Sequence, residues 1–258
     1  MTPPGIQDIH LWCIAHTPPS ADQLALLSPD ERAHFERIGA ASVKQQYWQT
    51  RLGIRRILSF YAPSVAMTRW QFVRNAHGRP DLHTPELPFC LRFNISHTGG
   101  MIVIAVTSGG DIGVDVEHTS RQPRVLDLAH RYFSARELAD LRALEAGEQL
   151  SRFLHLWTLK EAYIKACGMG LAIPLDSFSF LLGQGGIGVE FAPSRDDDAA
   201  RWRFWQLRLM NGYLAAIALG RESHPDEYRL QVMRLQDWER VERVPASVLA
   251  RTASTTPS

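Results

Sequence analysis

The chain has 258 residues, 45% of them hydrophobic and 21% charged, proportions of an ordinary globular protein with room for one large domain or two small ones. Its net charge of +1 excludes a global basic field of the kind that gathers nucleic acid or anionic membrane, so any anion must be met by a local cluster. The three cysteines, Cys13, Cys90 and Cys167, lie far apart without a CxxC pair, which argues against a disulfide framework and against structural zinc. No basic-then-apolar leader opens the sequence, and the longest apolar run, Met101 to Val106, is too short to span a bilayer. The expected setting is the cytoplasm, with neither nucleic acid nor membrane as partner.

In chain order, Ile9 to Ala15 suits a strand. Ser28-Pro29-Asp30-Glu31 carries helix-start chemistry: a capping serine, a first-turn proline and acidic residues at the positive dipole end. Apolar residues recur at helical spacing from about Val43 to Tyr61. Trp70 to Val73 alternates like a strand, and Asn75 to Pro80 reads as a turn. Phe93 to His97 is a strand broken by Thr98-Gly99-Gly100. Met101 to Thr107 and Ile112 to Glu117 are apolar strands separated by a glycine-rich turn, and the spacing predicts an antiparallel hairpin between them. An extended stretch is expected over Arg121 to Leu126, then helices over Ser134–Leu144, opened by a capping box with Glu137, and over Leu150–Ala166, stopped by Gly168. Strands follow at Phe178–Leu182, Val189–Phe191, Trp202–Leu209 and Tyr213–Leu219, the last two joined by an Asn211-Gly212 hairpin signal. From Pro245 to Ser258 the Ser/Thr/Ala/Pro composition predicts a disordered tail.

Three clusters can carry chemistry. In Asp115-Val116-Glu117, strand geometry points both carboxylates the same way, a costly arrangement that a hard cation would relieve. In Trp157 to Lys165, Glu161 and Lys165 are four residues apart on a helix and share a face, so Glu161 can complete a carboxylate triad while Lys165 meets a phosphate. In Asn94 to Gly100, Ser96, His97 and Thr98 offer donors beside two glycines that permit close backbone approach. Adjacent strand residues face opposite ways, which makes Ser96 and His97 a poor nucleophile–base pair. Each cluster alone has a plainer reading: a solvated strand end, a surface Glu–Lys pair, a structural histidine.

Taken together and in order, Asn94-Ile95-Ser96-His97-Thr98, Ile112-Gly113-Val114-Asp115-Val116-Glu117 and Trp157-Thr158-Leu159-Lys160-Glu161-Ala162-Tyr163-Ile164-Lys165-Ala166-Cys167-Gly168 resemble the three signatures of the Sfp-type 4′-phosphopantetheinyl transferases. Gly78-Arg79-Pro80 is similar to a turn upstream in that family, and the likeness runs from about residue 9 to residue 240. The resemblance implies an α+β fold, a pseudo-twofold pair of similar α/β halves with antiparallel sheets. The halves would be residues 1–109 and 110–244, with 245–258 as tail, and coenzyme A would bind at their junction. It implies transfer of the phosphopantetheine of coenzyme A to a serine of an apo acyl or peptidyl carrier protein, with release of 3′,5′-ADP, by a monomer.

By the same resemblance, Asp115, Glu117 and Glu161 would hold Mg²⁺, or Mn²⁺, which suits an all-oxygen site equally. Lys165 and His97 would neutralise phosphate oxygens, Arg79 and Ser96 would contact the nucleotide end, and Glu161 would serve as base. The family often meets the 3′-phosphate with lysines or arginines just after the Ser-Pro-acidic helix start. Glu31 stands at such a position here, which leaves Arg32, His34, Lys44 or Thr50 for that task. Arg121, Arg124 and Arg131, among Val125, Leu126 and Leu128, suit an acidic carrier surface. Two rival readings, a metal-dependent phosphohydrolase using water and a non-catalytic binding module, would be separated by whether a carrier gains mass.

Overall fold

A computed structural model describes residues 1–15, 21–83, 87–183, 186–225 and 227–253. The elements, in order, are β1 (Asp8–Ala15), α1 (Ala21–Leu24), α2 (Pro29–Arg37), α3 (Ala41–Tyr61), β2 (Phe72–Arg74), β3 (Pro80–Leu82), β4 (Arg92–Thr98), β5 (Met101–Thr107) and β6 (Asp111–His118). They continue with α4 (Val125–Tyr132), α5 (Ala135–Arg142), α6 (Ala146–Cys167), β7 (Phe178–Gly183), β8 (Gly186–Phe191), β9 (Trp202–Leu209), β10 (Tyr213–Gly220), β11 (Arg229–Gln236), β12 (Arg240–Arg243) and β13 (Ser247–Arg251). No helix among the described residues is long and apolar enough to cross a membrane, and Cys13, Cys90 and Cys167 are free thiols.

Period-two alternation sorts the strands into layers. A first sheet has the order β12-β11-β1-β5-β4 and a second the order β13-β9-β10-β6. One face of each meets the other: Ile9, Leu11, Val103 and Ala105 of the first sheet pack with Val114, Val116, Ala215 and Ile217 of the second. The opposite face of the first sheet buries Trp12 and Ile104 against Trp48, Leu52 and Ile57 of α3. The opposite face of the second buries Leu214, Ala216 and Ala218 against Leu159, Ala162 and Ala166 of α6. The result is helix on sheet on sheet on helix, a mixed α/β architecture with mostly antiparallel pairing.

Several expectations need correction. Met101–Thr107 and Ile112–Glu117 do not form a hairpin: β5 pairs with β1 and β4, whereas β6 pairs with β10 in the other sheet. Both strands are buried on both faces, so each needs its own sheet, and Gly110 at φ +88° turns the chain from one to the other. The stretch expected to be extended turns helical at Val125. The boundary drawn at 109/110 does not divide the sheets, because β11 and β12 return to the first sheet, β11 running parallel to β1 from Asp8↔Arg229 to Ile14↔Leu235. The tail expected over 245–258 is ordered in its first part. β13 pairs along the open edge of β9, whose unpaired backbone groups invite a strand, and residues 254–258 lie outside the described residues.

Helix α6 is pinned from the side away from the sheet. Lys160 and Glu137 are both fully buried and 2.8 Å apart, and Lys160 also donates to the carbonyls of Leu175 and Phe178, at 2.7 Å each. Glu137 caps α5 through Ser134, as the sequence pattern predicts, and additionally accepts from Phe180 N at 2.8 Å. Every charge-bearing atom of the pair thus has partners, which a buried ion pair requires.

Candidate active site

The two sheets meet along an edge of each, β4 of the first and β6 of the second. Alternate residues of β4 reach across the seam. Asn94 Oδ1 accepts from Val114 N at 3.0 Å, Ser96 Oγ donates to Asp115 Oδ1 at 2.8 Å, and Thr98 Oγ1 donates to Glu117 Oε2 at 3.3 Å. Side chains here replace the backbone ladder that two edge strands would otherwise form.

On β6, Asp115 and Glu117 both face α6, as their spacing predicts, and are 5% and 7% exposed. Helix α6 comes down on this face because Gly113, two residues before Asp115, has no Cβ: a methyl there would stand 2.0 Å from Ala162 O and 2.4 Å from Ala166 N. This contact sets Glu161 and Lys165 beside the strand carboxylates. Lys165 Nζ lies 2.6 Å from Asp115 Oδ1, 3.0 Å from Ser96 Oγ and 4.0 Å from Glu161 Oε2. Arg121, one turn beyond the strand, pairs with Glu117.

The electrostatics follow from this crowding. Burial first, then the charges of Asp115 and Glu117, push Glu161 up to about 7, against the pull of Lys165. Burial and Asp115 likewise raise Glu117, with Arg121 opposing. His97 is held below its usual value by partial loss of hydration and by the Lys165 charge. It stands on the strand face opposite Ser96, more exposed than its neighbours, in line with alternation.

Asp115 Oδ2 is buried and has no hydrogen-bond partner. An orphaned carboxylate oxygen among two further carboxylates is a donor set suited to a hard cation. Among the described residues, no group of three His, Cys, Asp or Glu side chains is already disposed to hold a metal ion; Lys165 and Arg121 stand against two of the carboxylates instead.

The remaining sequence-predicted residues make other contacts. Arg79 donates to Ala166 O at 2.6 Å and Ile112 O at 3.2 Å, while Asn75 donates to Gly168 O at 2.7 Å. The Asn75–Pro80 turn therefore clasps the C-terminal end of α6 and the start of β6. Arg79→Ala should cost about 2–3 kcal/mol, since it strips charged donors from buried carbonyls. Urea unfolding checks this, and an unchanged midpoint would show that the clasp contributes nothing.

The contacts of Arg32, His34 and Thr50 are local to α1–α3: Arg32 donates to Leu24 O, His34 packs on the Tyr47 ring, and Thr50 donates to Gln46 O. Lys44 lies over Phe35. Glu31 caps α2 and meets Arg55 at 2.9 Å and Arg51 at 3.8 Å. Sequence reading passed over Asn94, Gly113 and Lys160. The period-two spacing of Asn94, Ser96 and Thr98 was a usable signal for the first.

Comparison with known proteins finds relatives of this chain. The sequence model of the 4′-phosphopantetheinyl transferase superfamily matches residues 111–218, a span holding all three carboxylates and Lys165. The chain is 36% identical to the 4′-phosphopantetheinyl transferase Sfp of Bacillus subtilis, over 66% of its own length and 74% of that protein. It is 30% identical to the 4′-phosphopantetheinyl transferase HetI of a Nostoc species, over 82% of its length and 87% of that protein. A Xenopus laevis L-aminoadipate-semialdehyde dehydrogenase-phosphopantetheinyl transferase is 32% identical over 58% of this chain and 54% of its own. These relatives make the chain a member of the 4′-phosphopantetheinyl transferase family, and an enzyme of that class.

Proposed function

We propose that the protein transfers the 4′-phosphopantetheine group of coenzyme A to a serine hydroxyl of an apo acyl or peptidyl carrier protein and releases 3′,5′-ADP. The observation that carries this reading is the buried, unpartnered Asp115 Oδ2 beside Glu117, Glu161 and Lys165, at a seam between two sheets. Stacking of a helix on the outer face of each sheet supports a pseudo-twofold relation, with coenzyme A lying along the seam. The protein acts as a cytoplasmic monomer.

In this reading Asp115, Glu117 and Glu161 hold Mg²⁺ or Mn²⁺, an ion that supplies charge neutralisation to the pyrophosphate. Lys165 and His97 face phosphate oxygens, and Ser96 keeps Asp115 and Lys165 in register. Arg79 belongs to the nucleotide end through the turn it holds against α6, and Arg32, His34 and Thr50 lie toward the 3′-phosphate. Glu161, as its ionised carboxylate, takes the serine proton as the serine oxygen bonds to the β-phosphorus. The bond from that phosphorus to the bridging oxygen breaks, and its electrons leave with 3′,5′-ADP. Positioning and charge account for most of the acceleration in such a transfer.

The test is the intact mass of an apo carrier incubated with protein, coenzyme A and Mg²⁺. A gain of one phosphopantetheine, absent when EDTA is added, is the expected result; coenzyme A consumed with no gain on any carrier would show a hydrolase instead. Lys165→Ala should weaken coenzyme A binding roughly tenfold, the worth of one charged hydrogen bond, and leave carrier affinity alone. Unchanged coenzyme A affinity would remove Lys165 from the phosphate site.

A further inference from the structure

Helix α3 covers the outer face of the first sheet from Trp12 onward and ends at Tyr61, which leaves the neighbouring end of that face open. There His10 on β1 stands opposite Gln231 on β11, with Arg243 on β12 one step along. With Pro3, Met233 and Val241 they line a cavity of about 280 Å³. Strand β5 separates this cavity from β4 and the seam, so it is distinct from the carboxylate cluster. His10 is only 5% exposed, and a relay of hydrogen bonds sets its ring. Trp12 Nε1 donates to the Tyr61 oxygen at 2.8 Å, so the phenol turns its own hydrogen to His10 Nδ1 at 2.7 Å. Burial pushes the Tyr61 phenol up and the His10 imidazole down, which keeps both neutral at pH 7. With Nδ1 accepting, the ring hydrogen sits on Nε2, which has no hydrogen-bond partner among the described residues.

A buried donor without a partner is unfavourable unless a ligand brings the acceptor. The groups around it are donors as well. Gln231 accepts from Arg243 through Oε1 at 2.6 Å, which leaves its amide hydrogens and the rest of the Arg243 guanidinium to meet a ligand. The carboxylate of the lining, Asp8, is already met by Arg229 Nε and by Gly5 N, each at 2.8 Å. A surplus of donors calls for an anion, and Pro3, Met233 and Val241 call for an apolar tail behind it. Charge limits the choice: Arg243 is the positively charged side chain of the lining, and the carbonyl end of α3 lies beside it, so a monoanion fits better than a doubly charged phosphate. We infer that this cavity binds a short-chain monocarboxylate, its carboxylate held between His10 Nε2 and the Arg243 guanidinium and its tail against Met233 and Val241.

Butyrate and butyramide have nearly the same shape and differ in charge, so the pair isolates the anion contact. Titration of the protein with millimolar butyrate should move the His10 imidazole ¹⁵N signals saturably, the spectrum of His10→Phe identifying which signals they are. Butyramide at the same concentrations should leave them in place. Arg243 is exposed on an edge strand, so its replacement spares the core. Arg243→Gln should weaken butyrate about tenfold, the worth of one charged hydrogen bond, with an unchanged circular dichroism spectrum. Undiminished butyrate affinity in Arg243→Gln, or equal binding of butyramide, would overturn the carboxylate contact. Inorganic phosphate binding more tightly than butyrate would overturn the monoanion assignment, and the absence of a saturable shift with all three probes would overturn the site itself.

Discussion

Glu161→Gln should abolish transfer and, at the same time, make the metal-free protein more stable above pH 7. A glutamate in the unfolded chain titrates near 4.5, whereas burial and the charges of Asp115 and Glu117 hold Glu161 protonated to about 7. Between those values the folded state binds more protons than the unfolded one. Stability is therefore lost as pH rises through this window, and the loss is complete above pH 7. The amide keeps the shape and removes the charge, so at pH 8 the variant should gain about 1–3 kcal/mol and at pH 4 nothing. Urea midpoints at the two pH values, without divalent ions, check this; equal midpoints at pH 8 would mean that the carboxylates do not strain one another. Activity moves the other way. Asp115→Ala and Glu161→Gln should each leave less than a thousandth of wild-type transfer, and full activity in either would sink the carboxylate site. Because an ion needs Glu161 ionised, apparent Mg²⁺ affinity should fall as pH drops below about 7.

Gly113→Ala is the other change with a large expected effect, although it alters no functional group. The added methyl would meet α6 backbone, Ala162 O and Ala166 N, which cannot swing aside as a side chain would. Helix and strand must separate, at a cost of about 1–3 kcal/mol or more. Asp115 sits two residues along the strand, and Glu161 and Lys165 each precede one of the two clashing helix residues. Displacement of about 1 Å at such a site costs on the order of a hundredfold in rate. The variant should bind metal and substrate weakly, lose about a hundredfold in kcat/KM and unfold at lower urea. Wild-type kcat/KM would show that the carboxylate geometry does not depend on this contact.

Much of the architecture was legible because burial imposes simple periods. The short apolar run Ile9–Ala15, the apolar stretch Trp202–Leu209 and the Asn211-Gly212 turn gave those strands almost to the residue, and serine caps located α2 and α5. Pairing was less legible. Two apolar strands around Ser108-Gly109-Gly110 look like a hairpin locally, and only the two-sheet packing decides otherwise. The strand β11 went unread because Val232 faces one core and Met233 and Leu235 the other, so no alternation marks it. At the site, the spacing of Asp115 and Glu117 and of Glu161 and Lys165 already implied shared faces. The meeting of those two faces rests on the absent side chain of Gly113 and on the buried Lys160–Glu137 pair. A glycine in an apolar strand and a lysine in a helix carry no such message when read singly.

The return of β11 to the first sheet has a bearing on how the chain is made. Strand β1 lies between β5 and β11, and Arg229 joins Asp8 across 221 residues of sequence. During synthesis, β1, β5 and β4 emerge early but present an open, apolar edge until residue 236 or so has left the ribosome. The first sheet must wait for the second to be translated before it can close. Nascent chains that stall within β6 to β10 would carry that edge unprotected, where other chains can pair with it.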